Sequence, residues 1–169
     1  MQGKFAHILG CGSYLPEKIL DNHDLEKLVD TSDEWIVERS GIKKRHIAAD
    51  DESCVSMGEM ASRKALEAAN LKPEDIDLII VATCTSDKQF PSAACLLQAR
   101  LGAHQAFGFD ISAACTGFIY GLSTAQQFIE TGSVKRALVV GSEVLSRATD
   151  WTDRATCVLF GDGAGAMVL

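Results

Sequence analysis

Cys115 is the residue best suited to covalent chemistry, because it stands among small residues where a strand pattern meets a helix pattern. Residues 106–111 form a short apolar run, and apolar residues then recur at helical spacing from Phe118 to Ile129. Free N–H groups and the positive end of the dipole at a helix N-terminus stabilise a thiolate, so the pattern indicates a nucleophile. The alternative is that Cys115 is one more buried apolar residue.

Trp35 and Arg39 are four residues apart in a segment that predicts a helix, so their side chains share one face of it. Thr31 and Glu34 have the spacing of a capping box, and this predicts a helix over residues 32–40. An indole beside a guanidinium can sandwich a flat ring such as adenine. Spacing alone favours the simpler interpretation, a tryptophan at the edge of the core beside a solvated arginine.

The composition argues against two classes of function. The chain has 169 residues, is 47% apolar and 23% charged, and carries a net charge of −7 without a basic cluster. We therefore expect one domain that does not bind nucleic acid. Apolar runs fall short of the ~20 residues of a membrane span, and the apolar segment near the N-terminus is too short for a signal peptide.

Cysteine and histidine spacing argues against a metal site. The six cysteines include no Cys-x-x-Cys pair, and the four histidines form no ligand set with them. We expect reduced thiols, a cytoplasmic location and no zinc. Gly10-x-Gly12 follows an apolar run as in dinucleotide-binding loops, but a third glycine is missing and Pro16 blocks an immediate helix, so this site is rejected.

The elements that position these residues alternate between strand and helix. Predicted strands cover residues 5–10, 78–83, 106–111, 136–141, 156–160 and 164–169, the last two joined by a tight turn at 161–163. A short predicted helix follows Asn22 as its cap. Four further helices are predicted over residues 32–40, 53–70, 91–101 and 118–131. The first turns of the helix after Cys115 carry so few polar residues that we expect this helix to be buried rather than amphipathic. The pattern predicts an α/β fold with a five-stranded, mixed but mostly parallel sheet and helices on both faces.

Five segments resemble β-ketoacyl-acyl-carrier-protein synthase III, the enzyme family that starts type II fatty acid synthesis in bacteria. They are TSDEWIVERSGIKKRHIA (31–48), FPSAACLLQ (90–98), DISAACTGF (110–118), WTDR (151–154) and FGDGAGAMVL (160–169). The resemblance covers the whole chain in order. The Ala-Ala-Cys segment alone would indicate only the wider thiolase-like superfamily.

The resemblance implies a thiolase-like fold of two similar halves, of which residues 1–169 are the N-terminal one. In such an enzyme Cys115 takes an acetyl group from acetyl-CoA, which is a substrate and not a cofactor. Trp35 and Arg154 then hold the adenine of coenzyme A, with Arg39 and Thr31 on its nucleotide or phosphate side.

The resemblance also implies further partners. Malonyl-acyl-carrier-protein is the second substrate, and Phe90 crosses a homodimer interface to line the partner subunit's acyl pocket. The catalytic histidine and asparagine are expected beyond Leu169. Two alternatives are a hydroxymethylglutaryl-CoA synthase or polyketide-type acyltransferase, against which the segment 31–48 argues, and a half-domain without turnover, which we expect of the isolated chain.

Overall fold

The computed structural model describes residues 5–169, which form seven strands and five α-helices. The strands are β1 (Gly10–Tyr14), β2 (Lys18–Asp21), β3 (Lys44–Ile47), β4 (Leu78–Ala82), β5 (Phe107–Ile111), β6 (Ala137–Val144) and β7 (Asp162–Val168). The helices are α1 (Asn22–Leu25), α2 (Asp33–Ser40), α3 (Cys54–Ala68), α4 (Ala93–Leu101) and α5 (Gly117–Glu130). Short 3₁₀ turns lie at Pro73–Asp75, Ala114–Thr116 and Leu145–Arg147.

The main sheet has the strand order β1-β7-β6-β4-β5. Strand β4 pairs in parallel with β5 and β6, whereas β7 runs antiparallel to both β6 and β1. Four strands therefore share one direction, which confirms the mixed, mostly parallel sheet. All five residues of β4 are buried, as its unbroken apolar sequence predicts for a strand covered on both faces.

Helices cover both faces of this sheet, and the alternation of side chains along β4 assigns residues to each face. Ile79 packs with Met57 of α3 and Leu97 of α4 on one side. Leu78 and Ile80 pack on the other side against α5. Burying a side chain of this kind contributes about 1.5–3 kcal/mol, so these two layers supply most of the stability.

The helix boundaries follow local capping signals. Ser53 and Ser92 cap the N-termini of α3 and α4. Gly102 ends α4 with φ +80°, a left-handed conformation that glycine adopts without strain. Two predicted caps are wrong by one residue, because Ser32 rather than Thr31 caps α2, and Asp21 rather than Asn22 caps α1.

The first strand lies further along the chain than its apolar residues predict. The prediction was residues 5–10, but β1 begins at Gly10, and Phe5 is 72% exposed. The reason is the close approach of β1 to α3. A Cβ atom on Gly10 would lie 2.4 Å from the Ala65 carbonyl oxygen, and one on Gly12 would lie 2.2 Å from that of Ala61. Only glycine fits at this contact.

The predicted tight hairpin near the end of the chain is also wrong. Residues 156–159 form turns instead of a strand, and β7 starts at Asp162, inside the predicted loop. The buried carboxylate of Asp162 accepts hydrogen bonds from the backbone N–H of Ala48 at 2.7 Å and of Ser146 at 2.8 Å, and from the Ser146 hydroxyl. A residue typical of turns is thus held inside the fold by three donors.

A small second layer lies beside the main sheet. Strands β2 and β3 pair antiparallel, and α1 and α2 pack near them around Leu25, Ile36, Cys157 and Val158. The sequence analysis predicted the two helices but no strands here. Both β-strands are only four residues long and carry mixed polar and apolar side chains, which leaves little periodic signal.

None of the helices within residues 5–169 combines the length and the apolarity needed to cross a membrane.

Candidate active site

Cys115 lies in the 3₁₀ turn between β5 and α5, and its side chain is exposed. Cys115 is therefore not buried in the described part of the chain, and its role as a nucleophile stays a prediction. The residue before it, Ala114, has φ +46°. This left-handed conformation costs a non-glycine residue of order 1 kcal/mol, so the turn that presents Cys115 is held against a local preference.

No described side chain caps the N-terminus of α5, which is 14 residues long. The backbone N–H of Gly117, the first residue of α5, donates to the Ala114 carbonyl within the 3₁₀ turn, and the helix dipole is directed at the turn that carries Cys115. Such a position favours a thiolate or a developing oxyanion.

A cleft of about 360 Å³ opens beside Cys115. Leu15 and Phe118 contribute apolar walls, and Gly141, Gly163 and Gly165 line it from the ends of β6 and β7. A Cβ atom on Gly165 would meet no atom within 4 Å, so the space above this residue is open. The cleft is therefore large enough for a small acyl group, which would contact the backbone of these glycines.

Glu143 lies at the same cleft and was missed by the sequence analysis. Its carboxylate accepts hydrogen bonds from the backbone N–H of Cys84 at 2.7 Å and from the hydroxyls of Thr83 and Thr85. It ties the segment after β4 to the end of β6. The sequence offered one signal for Glu143, an acidic residue two positions after the predicted strand 136–141. Polar residues at the ends of parallel strands lie close together at one edge of the sheet.

Helix α5 is buried on one side only. Gly121 faces the sheet, where a Cβ atom would lie 2.9 Å from a Val139 methyl group, but Ile119 and Tyr120 are 60% and 54% exposed. The prediction of a fully buried helix is wrong for this chain.

Trp35, Arg39 and Arg154 form one cluster. The guanidinium carbon of Arg39 lies 4.5 Å from the centroid of the Trp35 ring, and that of Arg154 lies 4.4 Å from it. Arg39 and Trp35 meet because they lie one helical turn apart on α2. The contact between Arg154 and Trp35 instead joins α2 to the segment before β7. The Thr31 hydroxyl, at the start of the same helix, is buried and without a hydrogen-bond partner among the described residues.

The spacing in this cluster leaves no room for a ring between Arg154 and Trp35. Stacking a flat ring between two groups needs about 3.5 Å on each side, or about 7 Å in all. At 4.4 Å the guanidinium itself covers the indole. A nucleotide base that stacks on Trp35 must therefore displace a guanidinium from the face that it occupies.

Phe90 is separate from both groups of residues. Its side chain is 87% exposed on the loop before α4, and it does not line the Cys115 cleft.

Two of the remaining five thiols, Cys54 and Cys157, differ from Cys115 because they are buried. Burial raises the pKa of Cys54 to about 11, and burial also raises the pKa of Cys157. Cys11, Cys84 and Cys95 are exposed.

Across residues 5–169 no group of three or more histidine, cysteine or acidic side chains is arranged to hold a metal ion, and no described histidine lines the Cys115 cleft.

Comparison with known proteins gives consistent matches. The family described as 3-oxoacyl-[acyl-carrier-protein] synthase III matches residues 109–169. A β-ketoacyl-[acyl-carrier-protein] synthase III from Alkalilimnicola ehrlichii is 60% identical over 98% of this chain and 51% of its own length. The crystal structure of 3-oxoacyl-[acyl-carrier-protein] synthase III from Aquifex aeolicus is 59% identical, covers 95% of this chain and 52% of its own, and superposes with a TM-score of 0.93.

A priming β-ketosynthase of the R1128 polyketide biosynthetic pathway is 43% identical, covers 98% of this chain and 50% of its own, and superposes with a TM-score of 0.95. The chain thus spans about half the length of the curated relatives that it matches.

Proposed function

The chain belongs to the β-ketoacyl-acyl-carrier-protein synthase III family, spanning about half of its members' length, and we propose that it carries the nucleophile of such an acyltransferase. The observation that carries this proposal is Cys115, exposed in a strained turn at the uncapped start of α5 and beside an open apolar cleft. We assign these residues to the N-terminal half of the enzyme. The six free thiols fit a reducing cytoplasm, where type II fatty acid synthesis starts.

In the first half-reaction the Cys115 sulfur attacks the thioester carbonyl carbon of acetyl-CoA. The carbonyl electrons move to oxygen, and when the tetrahedral intermediate collapses the bond to the coenzyme A sulfur breaks. Coenzyme A leaves as a thiolate and the acetyl group stays on Cys115. Backbone N–H groups, including that of Cys115, stabilise the oxyanion, and the loss of one such donor costs about 10²–10³ in rate.

In the second half-reaction malonyl-acyl-carrier-protein loses carbon dioxide, and the resulting enolate attacks the acetyl carbon on Cys115. The thioester bond to the enzyme breaks, the cysteine thiolate leaves, and acetoacetyl-acyl-carrier-protein is formed. We expect a histidine and an asparagine outside residues 1–169 to stabilise the enolate. The isolated chain should therefore not turn over.

Labelled acetyl-CoA tests the role of Cys115 in the complete gene product. Cys115→Ser should retain no acid-stable label on the protein, because a serine hydroxyl at neutral pH is a far weaker nucleophile than a thiolate. Cys11→Ser and Cys84→Ser change exposed thiols in the same way and should label normally. Retention of label on the Cys115→Ser protein would refute the assignment.

A nucleotide site at Trp35, Arg39 and Arg154 supports coenzyme A as the acyl carrier. An indole presents a flat apolar face to adenine, and a guanidinium that the base displaces from this face can contact the phosphates. The unpartnered Thr31 hydroxyl supplies a further polar group at the same helix end.

Phe90 supports a homodimer in the complete enzyme. An aromatic side chain that is 87% exposed on a loop is typical of a residue that a partner covers. We propose that it enters the partner subunit and lines the acyl pocket there. Phe90→Ala should weaken the dimer in sedimentation experiments and change the preferred acyl length.

A second candidate is a priming ketosynthase of polyketide synthesis. It is supported by the 43% identity and the TM-score of 0.95 to the R1128 enzyme. The two candidates share the Cys115 chemistry and differ in the primer. Acylation rates with acetyl-, butyryl- and hexanoyl-CoA would distinguish them.

A further inference from the structure

Arg45 in β3 is a buried cation without a carboxylate partner. Its side chain is 3% exposed, and it forms no ion pair with any described acidic residue. Its Nε donates to the carbonyl of Val158 at 3.1 Å, Nη2 donates to the same carbonyl, and Nη1 donates to the side-chain oxygen of Asn22. Burial lowers the pKa of Arg45. A buried charge without hydrogen-bond partners is costly. The bonds of Arg45 therefore hold the Val158 carbonyl and the Asn22 side chain in fixed positions.

Asn22 is 1% exposed and continues the network towards α2. Its Nδ2 donates to the carboxylate of Asp33 at 2.8 Å and to the carbonyl of Ile42 at 2.9 Å. Asp33 is the first residue of α2, and Ile42 follows the glycine that ends it. One amide side chain therefore holds both ends of the helix that carries Trp35.

The other end of the network holds the connection that carries Arg154. Val158 is buried and lies four residues after Arg154. Further along, a Cβ atom on Gly161 would lie 3.0 Å from the Cβ of Arg45 and 3.1 Å from the His46 carbonyl oxygen. Residues 158–161 are thus packed tightly against β3, which limits their movement along it.

We propose that Arg45 and Asn22 are positioning residues of the nucleotide site. Their buried hydrogen bonds fix the distance between Trp35 on α2 and Arg154 on the segment before β7. This inference rests on the proposed function for its ligand, the adenine nucleotide of coenzyme A. Both residues are buried and act through α2 and the 154–158 segment without contacting the nucleotide. Weakening the network should loosen the placement of Arg154 beside Trp35. A base that replaces the guanidinium on the ring would then lose its contact with the displaced Arg154, so the affinity for coenzyme A should fall.

The test uses Trp35 fluorescence in a Trp151→Phe background, in which Trp35 is the only indole of residues 1–169. Any tryptophan of the gene product outside these residues is also replaced by phenylalanine. Arg45→Lys and Arg154→Ala are made singly and together, and coenzyme A is titrated into each protein. Arg45→Lys should shift Trp35 emission in the same direction as Arg154→Ala and should raise the Kd for coenzyme A at least about fivefold. Both effects should disappear when Arg154 is already alanine. Arg63→Lys, the same exchange on the exposed face of α3, should change neither reading.

A folded Arg45→Lys protein with unchanged emission and Kd would overturn the inference, as would an effect that persists undiminished without Arg154. If circular dichroism shows that Arg45→Lys does not fold, Asp33→Ala replaces it, because it removes one contact of Asn22 and leaves Arg45 satisfied. Its emission shift should have the same direction and again require Arg154, and no shift would overturn the inference. If the parent protein binds no coenzyme A, the proposed function fails at this site, and the emission readings alone decide the positioning role.

Discussion

At the scale of single residues, the contact between Arg154 and Trp35 decides how a base can bind. The guanidinium lies 4.4 Å from the ring centroid, and a second guanidinium, that of Arg39, lies 4.5 Å from it. A base that takes the place of a guanidinium exchanges a cation–π contact for a stacked contact on the indole. The displaced arginine then remains close enough to reach the ligand.

Trp35→Ala should weaken acylation by acetyl-CoA much more than the reaction with malonyl-acyl-carrier-protein. The aromatic stack and cation contacts are worth roughly 1–3 kcal/mol together, so the Michaelis constant for acetyl-CoA should rise about 5- to 150-fold. Steady-state kinetics with each substrate varied would measure this. Equal effects on both substrates would show that Trp35 only supports the fold.

Cys54 should resist alkylation in the native protein. Burial raises its pKa to about 11 from an ordinary 9.0, so the folded state holds the thiol proton more tightly than the unfolded state does. That stabilisation is complete below pH 9.0 and is lost as the pH rises towards 11. Iodoacetamide at pH 8 followed by mass spectrometry should modify exposed Cys115 and leave Cys54 free until urea is added. Rapid native modification of Cys54 would contradict the burial argument.

At the scale of elements, α3 connects most of the molecule. It contacts β1, β6 and β7, and it packs against α4. Its exposed side carries Glu59, whose carboxylate accepts hydrogen bonds from Arg63 on α3 and from Arg100 on α4. Desolvation opposes ionisation of Glu59, but the bonds from Arg100 and Arg63 hold its pKa below the ordinary value.

Glu59→Gln should destabilise the fold at neutral pH by about 1 kcal/mol, which corresponds to roughly 2–4 °C in Tm. Because the folded pKa is lowered, the stabilisation is present above the unfolded pKa and is lost as the pH falls through the folded one. The difference between the two proteins should therefore vanish in acid. Urea unfolding at pH 7 and pH 3 would measure it, with Glu67→Gln, an exposed and unpaired glutamate of α3, as the control. A difference that is no smaller at pH 3 than at pH 7 would exclude the ion pairs as its cause.

At the scale of the whole molecule, one side of α5 is apolar and open. Ile119, Tyr120 and, at the start of the described chain, Phe5 and Ile8 are each more than half exposed. Leaving ~600 Å² of apolar surface in water costs about 15 kcal/mol, which is comparable to the stability of a domain. Such a surface favours association.

Purified residues 1–169 should therefore fold but associate at tens of micromolar. Replacing both Ile119 and Tyr120 with lysine should lower the associated fraction in light scattering, because the added charges oppose burial of this side of α5. Met60→Lys, at an apolar position of α3 that is 46% exposed, should leave association unchanged. A stable monomer of the unmodified chain that also forms acetoacetyl-acyl-carrier-protein would refute both the association and the expected lack of turnover.

The sequence alone determined the features that local physics controls. Apolar periodicity predicted the buried strand β4 and the helices α3 to α5, and capping residues such as Ser53, Ser92 and Gly102 predicted their ends within a residue or two. It also identified the junction that carries Cys115. These signals are readable because each depends on residues a few positions apart.

Only the tertiary structure decided the features that depend on distant partners. Gly10 marks the start of β1 because Ala65 leaves no space for a side chain, and Asp162 starts β7 because donors at Ala48 and Ser146 replace water. Arg154 contacts Trp35 although the two residues lie far apart in the sequence. Each is a contact between segments far apart in the chain, and no local periodicity or propensity encodes which backbone atoms will meet there.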